Sequence, residues 1–307
     1  MEDTIFYTVL NMSIIAAFTG LIVILLRKIG FIPRKAVYAL WILVLLRLLL
    51  PFYISSRFSL INLTGNLVKR VVKVPVLPEG QGNVSMLNSI GAARSYFPTV
   101  YKTDRLAEIF HAAALIWLAV ALCVLIFLAV LYFISYRQLR NSAYYRDNIY
   151  VGRGIDAPIV HGIFNPRILI PGDYAGKKEL NYIILHETVH IKRHDNFLRL
   201  LALAVACVHW FNPMVWIFLK LFIEDMELTC DLKAIESLSF EERKQYAAAL
   251  VDAGKDRQLF MPAFGRSGVR SRVLNVLSYK RLSVLAVICT AIFIAAIGAV
   301  LMTNPLR

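Results

Sequence analysis

Residues 186–190 read His-Glu-Thr-Val-His, a spacing that places two imidazole groups on one face of a helix. Because His186 and His190 lie one helical turn apart, their ring nitrogens can bind the same metal ion. Glu187 lies beside them, where it can take a proton from a metal-bound water. The pattern predicts one catalytic Zn²⁺ ion with Glu187 as general base. Uncharged neighbours such as Thr188 and Val189 favour this interpretation over a surface helix with unrelated histidines.

A third protein ligand must come from elsewhere, because a catalytic zinc ion uses three protein ligands and keeps one position open. Glu227 is the best candidate, since Asp231 follows it one helical turn later. In this arrangement Glu227 binds the metal, and Asp231 orients a ligand histidine through its ring N–H. Asp195 and Glu224 remain competing candidates for the third ligand.

The composition predicts a membrane protein. Of 307 residues, 58% are hydrophobic and only 18% are charged, which lies outside the range of an ordinary soluble domain. Four apolar runs approach the roughly 20 residues that a helix needs to cross a bilayer. These runs are Ile5–Leu26, Ala36–Tyr53, Ile109–Ile134 and Leu282–Thr303. The sequence therefore predicts a predominantly α-helical multi-pass membrane protein with four transmembrane helices.

The net charge of +14 is explained by membrane topology rather than by nucleic-acid binding, because the basic residues cluster at the ends of apolar runs. Basic residues fill the turn after the first run, follow the third run and precede the fourth. These sides are expected to be cytoplasmic, which places both termini outside. Within the second run, Arg47 is expected to snorkel toward the outer face.

These observations divide the chain into three parts. Residues 1–135 hold spans one to three and an extracellular loop at 54–106. Residues 136–281 form a cytoplasmic zinc protease domain, and residues 282–307 form the fourth span with a short extracellular tail. The apolar segment 197–223 is expected at the inner membrane face or packed against the spans. The four cysteines have no paired spacing, so no disulfides are expected, and Cys230 is predicted to be a buried structural thiol.

Short strands are predicted before the histidine motif, from alternating apolar stretches separated by Gly and Pro. In zinc proteases an edge strand beside the motif helix holds the substrate in extended form. Ile168, Leu169 and Ile170 are the candidate for that strand, and a simple hairpin is the alternative. A free edge strand could equally serve in a homodimer. Residues 254–268 are predicted to form a flexible loop.

The chain resembles the integral-membrane zinc peptidases of the BlaR/MecR family, the beta-lactam sensor-transducer type of antirepressor protease. The resemblance rests on the motif at 186–190 with Ile-Lys-Arg-His-Asp following it, and on the Glu-Leu-Thr-Cys-Asp segment at 227–231. It also rests on residues 209–216, which read His-Trp-Phe-Asn-Pro-Met-Val-Trp and are far more specific than the first motif alone. Residues 41–51 look like that family's second span.

The resemblance implies a four-span protein of the bacterial cytoplasmic membrane with a cytoplasmic gluzincin-like α+β protease domain. It assigns His186, His190 and Glu227 as zinc ligands and Glu187 as catalytic base. Family members of the sensor type cleave themselves before the last span and inactivate a DNA-bound repressor. By position, the self-cleavage region would be Arg266, Ser267 and Gly268. No Ser-x-x-Lys module of the extracellular sensor domain is present, so beta-lactam binding is not carried over.

The leading hypothesis is a membrane zinc endopeptidase whose substrate is a cytoplasmic or membrane-proximal protein, with a repressor and the chain itself as candidates. A housekeeping or CAAX-type membrane zinc protease is the alternative enzyme. The alternative from another class is a non-catalytic transducer with a structural zinc site. Catalysis is favoured because a structural site would have no use for Glu187.

Overall fold

The structure is a computed structural model, and it describes residues 2–30, 32–51, 54–55, 104–140, 142–152, 155, 157–174, 176–177, 179–256, 266–279 and 283–304. The predicted extracellular loop 54–106 lies almost entirely outside these residues. The elements are α1 (Glu2–Arg27), α2 (Arg34–Leu49), β1 (Ile54–Ser55), α3 (Asp104–Arg140), β2 (Ala143–Arg146), β3 (Ile149–Gly152), β4 (Ile159–His161), β5 (Arg167–Pro171), α4 (Leu180–Lys192), α5 (Asp195–Val208), α6 (Pro213–Ala234), α7 (Phe240–Asp256), α8 (Arg266–Leu277), α9 (Val284–Met302) and β6 (Thr303–Asn304).

The chain divides into two compact units, and neither is a single stretch of sequence. The first unit consists of Met1–Val124, Val205–Phe218 and Ser283–Arg307. The second consists of Leu125–Ala204 and Leu219–Leu282. The division into residues 1–135, 136–281 and 282–307 stays a prediction. The two units differ from it because residues 205–218 and 283–307 belong to the first unit and residues 125–135 to the second.

Among the residues that the structure describes, three helices are long and apolar enough to cross a membrane, over Ile5–Arg27, Glu108–Arg137 and Val284–Met302. The second predicted span, Ala36–Tyr53, corresponds to α2, which has 16 residues and is therefore about 24 Å long. That length is shorter than the roughly 30 Å of bilayer hydrocarbon. Large apolar side chains are exposed along α9, including Val284 at 77% and Leu285 at 70%, as expected where lipid rather than water covers a helix.

The expectation that Arg47 snorkels is wrong. The residue is buried, with 5% of its surface exposed, and its Nε atom donates a hydrogen bond to the carbonyl oxygen of Leu301 at 3.1 Å. A carbonyl in the last turn of α9 has no partner within its own helix, so it can accept from a side chain. Arg47 therefore links α2 to the end of α9.

Residues 205–218, which belong to the first unit, contact the other helices of that unit through polar groups. The indole N–H of Trp117 donates to the carbonyl oxygen of Val208 at 2.8 Å, and Nε2 of His209 lies 3.0 Å from the carbonyl oxygen of Leu48. The Nδ2 atom of Asn212 lies 2.8 Å from the hydroxyl of Ser13. These contacts agree with placing the apolar segment against the spans.

Asn212 also determines where α6 begins. Its Oδ1 atom accepts the backbone N–H of Met214 at 2.9 Å, as an N-cap side chain does. Pro213 occupies the first helical position, where its missing N–H leaves no partner unsatisfied. The helix that carries Glu227 and Asp231 therefore starts at a position fixed by two adjacent residues.

The second unit contains a four-stranded sheet in the order β2-β3-β5-β4. Strand β5 pairs with β3 in parallel and with β4 in antiparallel orientation. The prediction that Ile168, Leu169 and Ile170 form a substrate-binding edge strand is therefore wrong, because both sides of that strand already carry backbone hydrogen bonds. The edges are β2 and β4. The burial of Leu169 and Ile170 explains the apolar pattern: an interior strand is covered on both faces.

Helix α4 lies between the sheet and a layer of helices. On the sheet side, Leu180 and Ile183 pack with Ile168 and Ile170. On the other side, Leu185 and Val189 pack against a buried cluster that includes Tyr246. Since successive residues of a helix are rotated by about 100°, positions 186 and 190 fall between these two faces, and position 187 falls on the side of the sheet. The packing of α4 thus holds the motif residues in the interior of the second unit.

Candidate metal centre

The turn between α4 and α5 returns the chain toward the motif. His194 has φ +55°, a left-handed conformation that commonly ends a helix. The next residue, Asp195, begins α5 and is fully buried. Its Oδ2 atom lies 2.6 Å from Nδ1 of His190. Asp195 therefore faces the ring nitrogen opposite to the one that points into the site.

His186 has an equivalent pair of partners. Its Nδ1 atom lies 2.9 Å from the hydroxyl of Tyr246 and 3.1 Å from Oδ1 of Asp231. The Tyr246 hydroxyl in turn donates to Oδ1 of Asp231 at 2.8 Å. This network places the proton of His186 on Nδ1, because both neighbouring oxygens can accept it. The role of Asp231 in orienting a histidine stays a prediction, and this contact is the one that the role requires.

With both Nδ1 atoms donating, the two Nε2 atoms present lone pairs to each other at 3.0 Å. Two facing acceptors repel unless a proton or a metal ion lies between them. Glu227 completes the set: its Oε2 lies 3.5 Å from Nε2 of His186, and its Oε1 lies 3.5 Å from Nε2 of His190. Ligand atoms bound at 2.0–2.1 Å in a tetrahedral site are roughly 3.3 Å apart. The three side chains therefore match the spacing that a zinc ion requires.

Two arginines contact the same carboxylates. Arg272 of α8 binds Asp231 through two N–H groups, at 2.7 and 2.8 Å, and its Nη1 atom lies 3.2 Å from Oε2 of Glu227. Arg199 of α5 binds Oε1 of Glu227. Its Nη2 atom also lies 3.5 Å from Nε2 of His190. Both guanidinium groups therefore adjoin the predicted ligand set.

The pKa shifts follow from this arrangement. Burial raises the pKa of Glu227, but Arg272 and His190 outweigh burial and hold it well below its usual range. Burial lowers the pKa of His190, but the carboxylates of Glu227 and Asp195 raise it to about 10. The site therefore favours ionised carboxylates together with a bound cation, which can be a proton or a metal ion.

Cys230 is a further donor that the sequence interpretation treated as structural. Its Sγ atom and the ligand atoms of His186 and His190 all lie within 4.8 Å of one another. The thiol is fully buried, and Sγ lies 3.6 Å from the backbone carbonyl oxygen of His186. By donor chemistry, thiolate and imidazole are both good zinc ligands, so this residue is a second candidate beside Glu227.

The structure brings together most of the predicted site residues. His186, Glu187 and His190 are buried on α4, and Glu227 and Asp231 reach the histidines from α6. Glu224, a competing ligand candidate, lies one turn earlier on α6. The candidate self-cleavage residues Arg266, Ser267 and Gly268 form the first turn of α8 rather than part of the preceding loop, whose residues 257–265 lie outside the described chain.

Sequence reasoning missed three candidates for a role in the site and gave a fourth, Asp195, a different role. Asp195 was considered as a ligand, and the roles of Tyr246, Arg199 and Arg272 were not considered. For Asp195 a signal existed, because an acid directly after a helix-ending turn can fold back on the helix it follows. For Arg199 the signal is a lone charge in an apolar helix. Tyr246 and Arg272 reach the site from separate helices, and their positions carry no local pattern.

Comparisons with known proteins identify the family to which the chain is similar. A model of the family described as BlaR1 peptidase M56 matches residues 7–275. A regulatory protein BlaR1 of Bacillus licheniformis is 27% identical over 161 residues, which cover 49% of this chain and 27% of that relative. A methicillin resistance mecR1 protein of Staphylococcus aureus is 25% identical over 272 residues, which cover 79% of this chain and 45% of that relative. The chain spans less than half the length of these curated relatives.

Proposed function

Because the chain belongs to the BlaR1 peptidase M56 family, we propose that it is a membrane zinc endopeptidase of the gluzincin type. In this proposal one Zn²⁺ ion is bound by His186, His190 and Glu227, and Glu187 is the general base. The observation that carries the proposal is the convergence of two Nε2 atoms, 3.0 Å apart, with a carboxylate 3.5 Å from each.

The ion would supply Lewis acidity and lower the pKa of a bound water toward about 7. The chain supplies the rest of the chemistry. Asp195 holds the ring of His190, and Asp231 with Tyr246 holds the ring of His186, so each Nε2 lone pair faces the site. Glu187 takes the proton of the attacking water and passes it to the leaving amine.

The substrate is proposed to be a cytoplasmic or membrane-proximal protein, with a DNA-binding repressor as one candidate. This proposal is supported by the similarity to proteins named regulatory protein BlaR1 and methicillin resistance mecR1. The same similarity supports a role in the response to beta-lactams. Self-cleavage near Arg266–Gly268 is proposed from the family resemblance alone. The proposed orientation in the bacterial membrane has four spans, both termini outside and the protease unit in the cytoplasm. We propose no direct contact between the chain and nucleic acid and no particular oligomeric state.

A second candidate function is a membrane transducer with a structural zinc site. Cys230 favours it, because its thiolate could take the fourth ligand position and close the site to water. A closed site holds a domain together but cannot activate a water molecule. The two candidates therefore differ in one measurable property, which is whether the zinc-loaded protein cuts a peptide bond.

Cleavage by the detergent-solubilised full chain tests the proposal. Fluorescently labelled casein serves as a general probe, and mass spectrometry of the chain itself detects self-cleavage. We expect zinc-dependent cleavage by the wild type and a loss of about 10²–10⁴-fold in Glu187→Gln with zinc content unchanged, because only the base is removed. Lys233→Gln, an exposed change on α6, is the control. Zinc bound without cleavage of either substrate would support the transducer instead.

A further inference from the structure

Arg199 is an isolated charge on an apolar helix. It is the only charged residue between Asn196 and Val208 of α5, and it lies one helical turn after Asp195, on the same face. Placing a charge among apolar residues costs free energy unless the charge is paired or used. About a third of its side chain is exposed, so the guanidinium group has access to solvent at the metal centre.

The contacts of Arg199 lie at the predicted ligands. Its Nη2 atom contacts Oε1 of Glu227 and lies 3.5 Å from Nε2 of His190. Its Nε atom lies 3.3 Å from the sulfur of Met226. A guanidinium group keeps its charge at every working pH and carries five N–H donors, so it cannot act as a base but can stabilise negative charge.

Arg272 differs from Arg199 in how it is held. Two N–H groups of Arg272 bind Asp231, and only 11% of its side chain is exposed. If Glu227 binds a metal ion, Arg272 keeps its main partner. Arg272 then loses its contact with Oε2 of Glu227 but keeps both bonds to Asp231, whereas the carboxylate that Arg199 contacts among the described residues is Glu227 itself. Of these two arginines, Arg199 is therefore the one whose donors become available to another anion.

With a divalent cation bound, the charges around the histidines would sum to a positive charge that one anion can balance. Four carboxylates either belong to the motif or contact one of its histidines: Glu187, Asp195, Glu227 and Asp231. Three guanidinium groups contact three of them: Arg193, Arg199 and Arg272. A divalent cation added to this set gives an excess of one positive charge. That excess equals the single negative charge that develops on a peptide carbonyl oxygen during hydrolysis.

We propose that Arg199 is a further catalytic residue, which donates a hydrogen bond to the oxygen of the scissile carbonyl; the inference rests on the proposed peptidase function. As the water oxygen bonds to the carbonyl carbon, the π electrons move to the carbonyl oxygen and its negative charge meets the guanidinium group. The water proton goes to Glu187. When the C–N bond breaks, the carbonyl re-forms and the amine leaves with that proton.

The test compares Arg199→Gln and Arg199→Lys with the wild type, using the zinc-loaded full chain in detergent. We expect kcat on labelled casein to fall about 10²–10³-fold in Arg199→Gln with little change in KM, and partial recovery in Arg199→Lys. Phosphoramidon, whose tetrahedral phosphoryl group resembles the charged intermediate, should bind Arg199→Gln at least about tenfold more weakly. Zinc affinity, measured by chelator competition, should stay equal or rise, because a cation competing for Glu227 is gone.

Lys233→Gln removes a positive charge from the exposed face of α6 and should change none of these values. A loss of zinc affinity in Arg199→Gln would overturn the inference, because Arg199 would then only position Glu227. Unchanged phosphoramidon affinity and cleavage would overturn it as well. The wild type alone tests the peptidase function. If the wild type binds zinc but neither cleaves casein nor binds phosphoramidon, both the peptidase function and the role of Arg199 are wrong.

Discussion

At the scale of single residues, the orientation of each histidine ring is the property on which the site depends. Asp195 binds Nδ1 of His190, and Tyr246 with Asp231 binds Nδ1 of His186. Each partner fixes a tautomer, so both Nε2 atoms offer lone pairs to the same point. Without these partners the two rings could rotate or exchange tautomers, and the ligand set would exist only part of the time.

Asp195→Asn tests this role. The amide presents either its oxygen or its NH₂ group to His190 and carries no charge, so it holds the ring less firmly and lowers its basicity. We expect zinc affinity to fall about 10–100-fold, measured by chelator competition at constant pH. Asp147→Asn, an exposed change of the same kind, is the control. Equal zinc affinity in Asp195→Asn and wild type would show that Asp195 does not orient His190.

The motif residues were predictable because their spacing alone determines a shared helix face. His186, Glu187 and His190 required only the period of the α-helix. Glu227 required the additional assumption that a second helix packs against the first, which a single sequence does not show. Cys230 was predicted to be buried, and it is; its closeness to both histidines depends on how α6 rotates against α4 and could not be predicted.

At the scale of helices and strands, α8 is held to α6 by a buried ion pair. Arg272 binds Asp231 through two N–H groups, and Asp231 has no exposed surface. Removing one partner of a buried pair leaves the other charge without compensation. The helix that begins with the candidate self-cleavage residues therefore depends on the same aspartate that orients His186.

Arg272→Gln should release α8. We expect a destabilisation of about 3–5 kcal/mol, seen as faster hydrogen–deuterium exchange of residues 266–277 in the full chain. Arg270→Gln changes an exposed arginine on the same helix and is the matched control. Exchange of these amides at the wild-type rate in Arg272→Gln would show that the ion pair does not hold the helix.

The same pair predicts an acid dependence. Burial raises the pKa of Asp231, but the guanidinium group of Arg272 outweighs burial and lowers it well below the usual range. A depressed carboxyl pKa gives stabilisation that is present above the unfolded value of about 3.9 and is lost as pH falls through the folded value. Thermal unfolding of the metal-free chain should show this loss below about pH 4. A smaller loss is expected in Arg272→Gln, and an equal loss would contradict the assignment.

Strand order shows where local patterns fail. An apolar stretch ending at Pro171 is compatible with an edge strand or an interior strand, since both give short apolar runs. Strand β5 is interior because β4 returns antiparallel beside it, a pairing determined by tertiary contacts. Arg47 was misjudged for the same reason: a carbonyl at the end of α9, far away in sequence, is its partner.

At the scale of the whole molecule, composition and charge predicted the class of protein more securely than its topology. In the described part of the chain, three helices are long and apolar enough to span a membrane, whereas α2 falls short in length. Since each span reverses the side on which the chain emerges, the number of spans decides where the protease unit lies. The proposed orientation therefore needs its own test.

Reporter fusions test the orientation. Alkaline phosphatase is active only outside the cytoplasmic membrane, and green fluorescent protein fluoresces only when it folds inside. A fusion after Arg140 should give fluorescence and no phosphatase activity, because basic residues at the end of α3 favour the cytoplasm. A fusion after Arg307 should give the opposite result. Fluorescence from both fusions would mean that α9 does not cross the membrane as proposed.

The central claim is a zinc ion bound by two imidazoles and one carboxylate with an open fourth position. Zinc K-edge X-ray absorption of the zinc-loaded full chain tests it most directly, because nitrogen and oxygen ligands lie at about 2.0–2.1 Å and sulfur at about 2.3 Å. We predict one zinc ion per chain with only nitrogen and oxygen neighbours, and loss of an oxygen neighbour or of the ion in Glu227→Ala. A sulfur neighbour at about 2.3 Å that disappears in Cys230→Ser would contradict the claim.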